Sequence, residues 1–215
     1  MVSANESAFE LFLEETPLNN LLSFLKYFNE NLPPDIRALQ IEEVDADFNI
    51  IQHPKQKEYL YLFSFGSKNH PFCAPLMANF QNDLNIRKMM EGANLFEGEH
   101  FFKNYTVEPS ENGKFLRTIT TSEIVENTVY TANFFPEKSY IFRVKGSGFL
   151  RYQIRLMMGT LIQLGKGEIE VSDIKESLKE GNEMLINYIA PASGLILNKV
   201  DFQEVDPPQS STTHR

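Results

Sequence analysis

Apolar residues recur along this chain in two rhythms, one of three to four residues and one of two, and their succession predicts the order of elements. Over 16–29 (TPLNNLLSFLKYFN), Leu18, Leu21, Leu22, Leu25 and Phe28 form a helical stripe, with Thr16 able to cap it and Pro17 suited to its first turn. Asn31-Leu32-Pro33-Pro34-Asp35 stops that helix, and 37–48 (RALQIEEVDADF) reads as a strand. A second strand is predicted over 57–65, where Tyr59, Tyr61, Phe63 and Phe65 alternate with Leu60, Leu62 and Ser64. Its two faces are both largely apolar, so it is expected to be buried on both sides.

After a loop over 67–75, a helix is predicted from Asn82 to Phe96 with Ile86, Met89, Met90 and Ala93 inward. Strands follow at 115–125 and 128–135, read as a hairpin turning at Glu126-Asn127, and then at 139–145. A helix over 149–164 places Leu150, Ile154, Met157, Met158 and Leu161 in the core. A short helix over 173–180, capped by Ser172 and closed by Gly181, precedes a last strand at 195–202. Strands come in runs with helices between them and no clean βαβ period, which predicts an α+β fold with a largely antiparallel sheet. The tail after Val205, rich in Pro, Ser and Thr, is expected to be disordered.

Composition narrows the class. A chain of 215 residues with 18 Phe and a single cysteine can bury a real core, cannot form an internal disulfide, and fits a reducing, cytoplasmic setting. No apolar run reaches the length of a membrane span, and MVSANESAFELFLEE is not a signal peptide. A net charge of −9 argues against general affinity for nucleic acid, though not against a focused site. Against that acidic background Lys138, Arg143, Lys145, Arg151, Arg155 and Lys166 follow one another without an intervening carboxylate. Such a positive island calls for a local partner, a phosphate-rich ligand or a buried anion.

Candidate chemistry gathers there. Four residues apart on the predicted helix, Arg151 and Arg155 share a face, and Gly159 continues the row, leaving room for a backbone or ligand to come close. Two helical cations are ordinarily a solvated face; the alternative is one arginine turned inward to orient a carboxylate and the other meeting phosphate. Tyr59 and Tyr61 are either aromatic core or, at a cleft, able to stack on a base or hold a proton. The histidines (His53, His70, His100, His214) share no ligand spacing, and no metal site, Walker loop, dinucleotide fingerprint or GxSxG is present in the sequence. Cys73, between Pro71 and Pro75, has no neighbouring base and reads as packing.

Six segments in order resemble the tRNA pseudouridine synthase A family across roughly residues 1–202. Phe149-Leu150-Arg151-Tyr152-Gln153-Ile154-Arg155 with Gly159 and Leu161 resembles "FLxxMVRxxVGxL", and Leu164-Gly165-Lys166-Gly167 resembles "VGxG". Ala190 to Leu197 is similar to "APAxGLYL", and Val200-Asp201-Phe202 to that motif's ending. Asn29 to Ile36 resembles "NxxLPxDI", Asp47-Phe48 "DFHAR", and Lys57 to Tyr61 "KxYxY". Asn49 and Ile51 stand where the family has a histidine and an arginine, and 101–117 matches poorly.

The resemblance implies a pseudouridine synthase fold, a mixed and largely antiparallel sheet flanked by helices, in two subdomains with the first incomplete. Residues 1–52 would be the remnant of an N-terminal subdomain, 53–205 the catalytic and RNA-binding subdomain, and 206–215 the tail. It implies isomerisation of uridine in the anticodon arm of tRNA, without metal or cofactor, by a cytoplasmic homodimer. Tyr59 would lie against the uridine ring and assist proton removal, Arg155 would orient a nucleophilic aspartate, and Arg151, Lys145 and Lys166 would contact tRNA phosphates. That aspartate belongs to an "RTDxGVHA" motif of which Met1-Val2-Ser3-Ala4 resembles only the end, so the expectation is a chain truncated just past its nucleophile, inactive and poorly stable as it stands. A non-catalytic RNA-binding module and a dimeric structural domain are the competing expectations.

Overall fold

A computed structural model describes residues 2–13, 18–110, 112–184, 186 and 188–202. The strands are β1 (Ser3–Ala4), β2 (Pro54–Phe65), β3 (Ala78–Phe80), β4 (Gly98–Phe101), β5 (Leu116–Glu126), β6 (Tyr140–Gly146) and β7 (Leu195–Phe202). The helices are α1 (Leu21–Asn31), α2 (Ile86–Asn94), α3 (Gln153–Lys166) and α4 (Val171–Ser177). Two units divide the described residues, 2–7 with 54–202 in one and 8–53 in the other.

In the first unit the strands form one mixed sheet in the order β1-β7-β2-β6-β5-β4, with β3 pairing parallel to the end of β2. Of the remaining pairs only β1 with β7 is parallel, so the sheet is largely antiparallel as the sequence predicts. At its centre β2 has β6 on one side and β7 on the other. Its alternation holds on both faces. Tyr61 and Phe63, with Tyr59 and Phe65 against them, join the α2, α3 and α4 side chains in the main core. Leu60 and Leu62 face the other way into a smaller cluster with Cys73, Met77, Ile141 and Ile196. Among the described residues no helix is long and apolar enough to cross a membrane.

The predicted strand at 128–135 is instead the cover of that smaller cluster. Asn127 curls the chain back by accepting at Oδ1 from the amides of Val129 and Tyr130 and donating from Nδ2 to the Tyr130 carbonyl and the Ser139 hydroxyl. Tyr130, Phe134 and Phe135 then lie over Leu60 and Leu62, and β5 pairs with β6. Cys73 is buried there with its thiol 3.1 Å from the Phe134 carbonyl, in keeping with a packing role.

In the second unit α1 begins at Leu21, capped by Asn20, whose side chain accepts the Ser23 amide at 2.9 Å. Thr16, Pro17 and the tail after Val205 lie outside the described residues. Leu22, expected in the core stripe, is 78% exposed, and no residue of α1 is buried. The strand predicted at 37–48 does not form: no described strand pairs with this segment, and a lone strand has nothing to hydrogen-bond.

Candidate functional site

The first turn of α3 and the residues leading into it meet β2 at a cleft of about 180 Å³, lined by Tyr59, Phe149, Leu150, Arg151, Tyr152, Gln153, Ile154, Arg155 and Leu195. The helix starts later than its apolar stripe suggests, at Gln153. Tyr152 takes a left-handed φ of 65°, a conformation that disfavours a side chain and breaks the helix there. Arg151 therefore precedes α3 and does not share a helical face with Arg155.

Their surroundings differ accordingly. The Arg151 side chain is 68% exposed and meets Glu108 at 3.3 Å, a solvated pair of little energetic weight. Arg155 is half-buried. Its Nε donates to the Ala190 carbonyl at 2.6 Å, its own carbonyl accepts the Ala190 amide at 3.1 Å, and its guanidinium lies 4.9 Å from the centre of the Tyr152 ring. Among the described residues it makes no ion pair. One turn on, Gly159 admits the Tyr188 carbonyl so closely that any methyl would overlap it, as the small residue in that row predicts. Beyond Ala190, the Pro191 carbonyl accepts the Tyr61 hydroxyl at 2.7 Å. Segment 188–191 is thus held against α3 and β2 from three directions, and Arg155 with it.

Tyr59 enters from β2 with its ring edge-to-face against Phe149, centroids 5.3 Å apart. Burial raises its pKa above the ordinary tyrosine value, so it is a neutral phenol at pH 7. A phenol held in that form can pack against a ring or hydrogen-bond, but it is a poor source of a basic phenolate.

The island of cations is largely neutralised by carboxylates that lie outside it in the sequence. Arg143 pairs with Glu123, Lys145 with Asp201 at 3.9 Å, and Lys166 with Glu168 at 3.6 Å. The pairing of Tyr59 with Val144 puts those two side chains on one face, so Lys145, the next residue, points to the opposite face from the cleft. Lys166 ends α3 on the same side as Arg155, roughly 16 Å along the axis at helical rise, beside the Tyr188 ring. Thus Tyr59, Arg151 and Arg155 come together, while Lys145 and Lys166 stand apart from them and from each other.

Sequence reasoning does not single out Gln153, which is 1% exposed within the cleft wall. The available signal is a polar residue set among Leu150, Ile154 and Met157, at a position whose neighbours are core.

Residues 93–203, which include β4 to β7 and the cleft-forming start of α3, match the family described as tRNA pseudouridine synthase. The chain is similar to tRNA pseudouridine synthase A 2 of Bacillus cereus, 31% identical over 177 residues that cover 82% of this chain and 69% of the relative. It is also similar to tRNA pseudouridine synthase A of an Exiguobacterium species, 32% identical over 85% of this chain and 70% of the relative. With the protein of that name from Staphylococcus aureus it shares 32% identity over 91% of this chain and 71% of the relative.

Proposed function

Because the chain belongs to the tRNA pseudouridine synthase family, we propose that its cleft receives a uridine flipped out of the anticodon arm of tRNA and that Arg155 holds the carboxylate acting on it. The reaction is an isomerisation: the N1–C1′ bond breaks, a C5–C1′ bond forms, C5 gives up its proton and N1 acquires one. Nothing is consumed, so what the protein must supply is a nucleophile, a fixed orientation and a place for the freed base to turn.

The observation that carries this reading is a half-buried arginine, fixed through Nε by a backbone carbonyl, facing a cleft whose lining contains no carboxylate among the described residues. With Nε engaged, the two terminal nitrogens remain to form a fork with an acid, and such charge-assisted pairs both ionise and aim their carboxylate. Tyr59, kept neutral by burial, would wall the ring rather than remove a proton as phenolate. Arg151 and Lys166, whose carboxylate partners are exposed and easily exchanged, would meet tRNA phosphates at either end of α3. Lys145 is left out of this contact surface because it lies on the sheet's other face. As the family resemblance implies, the working unit is taken to be a cytoplasmic homodimer.

A chimaera tests the assignment: a segment carrying the RTDxGVHA motif that the resemblance implies is joined ahead of Val2 and assayed on unmodified tRNA. Pseudouridine formation is expected, with Arg155→Ala reducing it at least a hundredfold; a chimaera as active with alanine at 155 ends the role given to that residue. The absence of a carboxylate among the described residues that line the cleft favours a second reading, a module that binds RNA without chemistry. On that reading the 215-residue chain binds tRNA with strong salt dependence while the chimaera stays inactive.

A further inference from the structure

Strand β1 has little of its own to fix its register. It pairs parallel with β7 over only Ser3 with Ile196 and Ala4 with Leu197, and neither Ser3 nor Ala4 is a large apolar residue that would commit it to one face of the sheet. Asn5 supplies the missing constraint. Its amide donates to the Leu197 carbonyl at 2.8 Å, and its Nδ2 donates to the Tyr130 hydroxyl at 2.6 Å and to Asn198 Oδ1 at 2.8 Å. The direction of that relay is set from β2: a carboxylate only accepts, so Asn198 turns its Nδ2 to Glu58 Oε1 and its Oδ1 to Asn5. Asn198 also marks a single place along β7. Glu58 pairs with Lys199 and Tyr59 with Leu197, which leaves Asn198 as the extra residue of a β-bulge. A side chain that must meet the bulge holds β1 in one register.

That register bears on the cleft. Because β1 runs parallel to β7, the chain leading back from Ser3 heads toward Leu195, which lines the cleft with Tyr59 and Arg155. In the motif whose end Met1-Val2-Ser3-Ala4 resembles, the aspartate stands three residues ahead of Val2, about 10 Å of chain at full extension. Resting on the function proposed above, we infer that Asn5 is a positioning residue: by locking β1 to the Asn198 bulge, it sets where an acid carried ahead of Val2 meets the Arg155 guanidinium. A slip of one residue would carry that acid about 3.3 Å along β7 and turn the β1 side chains to the opposite face. A carboxylate–guanidinium fork does not span such a shift, and a misplacement of about 1 Å can already cost about a hundredfold in rate.

Two measurements test this. In the 215-residue chain labelled with nitrogen-15, Asn5→Ala should speed solvent exchange of the residue-5 amide by about fivefold, and Tyr130→Phe, which spares the Asn198 bond, by about twofold, while the β2 amides keep their protection. In the chimaera described above, Asn5→Ala should lower kcat at least about tenfold and leave KM for tRNA within about twofold, since the contacts proposed for Arg151 and Lys166 are untouched. Asn198→Ala should do the same, and the double variant should be no worse than the worse single one, because both remove one link. A chimaera that keeps its kcat with N5A, or a residue-5 amide that exchanges no faster in that variant, overturns the role of Asn5 and leaves the proposed function standing. A fall in kcat matched by lost protection throughout β2 would make Asn5 a residue of general stability and overturns the role equally. A chimaera inactive with Asn5 in place defeats the proposed chemistry, and this role falls with it.

Discussion

Replacing Gly159 by alanine sets helix propensity against a close contact, and the two predict opposite signs. In an exposed helix the change stabilises by about 1 kcal/mol, because glycine has more backbone freedom to lose. Here the new methyl would overlap the Tyr188 carbonyl oxygen and come within 3.2 Å of the Tyr188 ring. A backbone oxygen cannot rotate aside, so segment 188–191 must move off α3. Three bonds resist that movement: the Ala190 amide to the Arg155 carbonyl, Arg155 Nε to the Ala190 carbonyl, and the Tyr61 hydroxyl to the Pro191 carbonyl. Losing the two neutral bonds costs about 1 kcal/mol each and the one from the guanidinium about 2. Less the gain in propensity, the net loss is about 3 kcal/mol if all three break; a smaller shift would leave only overpacking, about 1–3 kcal/mol before that gain. Urea unfolding followed by far-ultraviolet circular dichroism should give a lower midpoint for Gly159→Ala, and the Ala190 amide should exchange faster with solvent. A variant as stable as the natural chain, with Ala190 equally protected, would show that this contact does not hold segment 188–191 or position Arg155.

Two further outcomes follow from burial and from charge placement. Tyr61 and Tyr105 are fully buried, and desolvation raises both pKa values above 10, more than Arg155 lowers the first or Ser177 and Thr160 lower the second. Below pH 10 folded and unfolded tyrosines are both protonated; above it the unfolded ones ionise first, so stability should fall by roughly 1.4 kcal/mol per pH unit for each. Melting temperatures between pH 8 and 11.5 check this, with Tyr105→Phe expected to halve the slope; no decline above pH 10 would refute it. For tRNA binding, Arg151→Ala and Lys166→Ala should each lower the slope of log affinity against log salt by about one. Lys145→Ala should leave that slope unchanged, and an equal reduction in all three would place RNA on both faces of the sheet.

How much of this was legible depends on which contacts a sequence can express. The core strand declared itself, because Tyr59 to Phe65 alternate between two apolar faces wherever the chain goes next. The runs at 37–48 and 128–135 lack that two-faced alternation, and a strand there would need a neighbour at hydrogen-bonding distance, which is a property of topology. For the second, Asn127 gives the chain a competing local turn that carries its aromatic residues over the sheet. Charge misleads in a similar way. Six cations without a carboxylate among them look like a single patch, yet Glu108, Glu123, Asp201 and Glu168 meet four of them, three from elsewhere in the chain. Arg155 and Gly159, by contrast, were readable together, since one helical turn separates the guanidinium from the gap that seats its carbonyl partner's segment.

What distinguishes the cleft is where the chain departs from the rules it obeys elsewhere. Away from it, polar side chains are met: Ser64 is bonded by Asn69 and Asn79, Asn104 joins the Ser177 and Asn182 carbonyls, and Tyr105 finds Ser177. Within four consecutive residues at the start of α3, however, Tyr152 is left-handed, Gln153 has an unanswered donor and Arg155 has a carbonyl but no anion. General looseness would scatter such defects, and the fully buried Met157, Met158, Leu161 and Ile162 immediately following exclude it. Local strain and unmet donors that persist in one turn, on a helix otherwise sealed into the core, are the pattern expected where structure is held ready for a ligand. A carboxylate seated in the cleft would answer the guanidinium that no anion meets among the described residues.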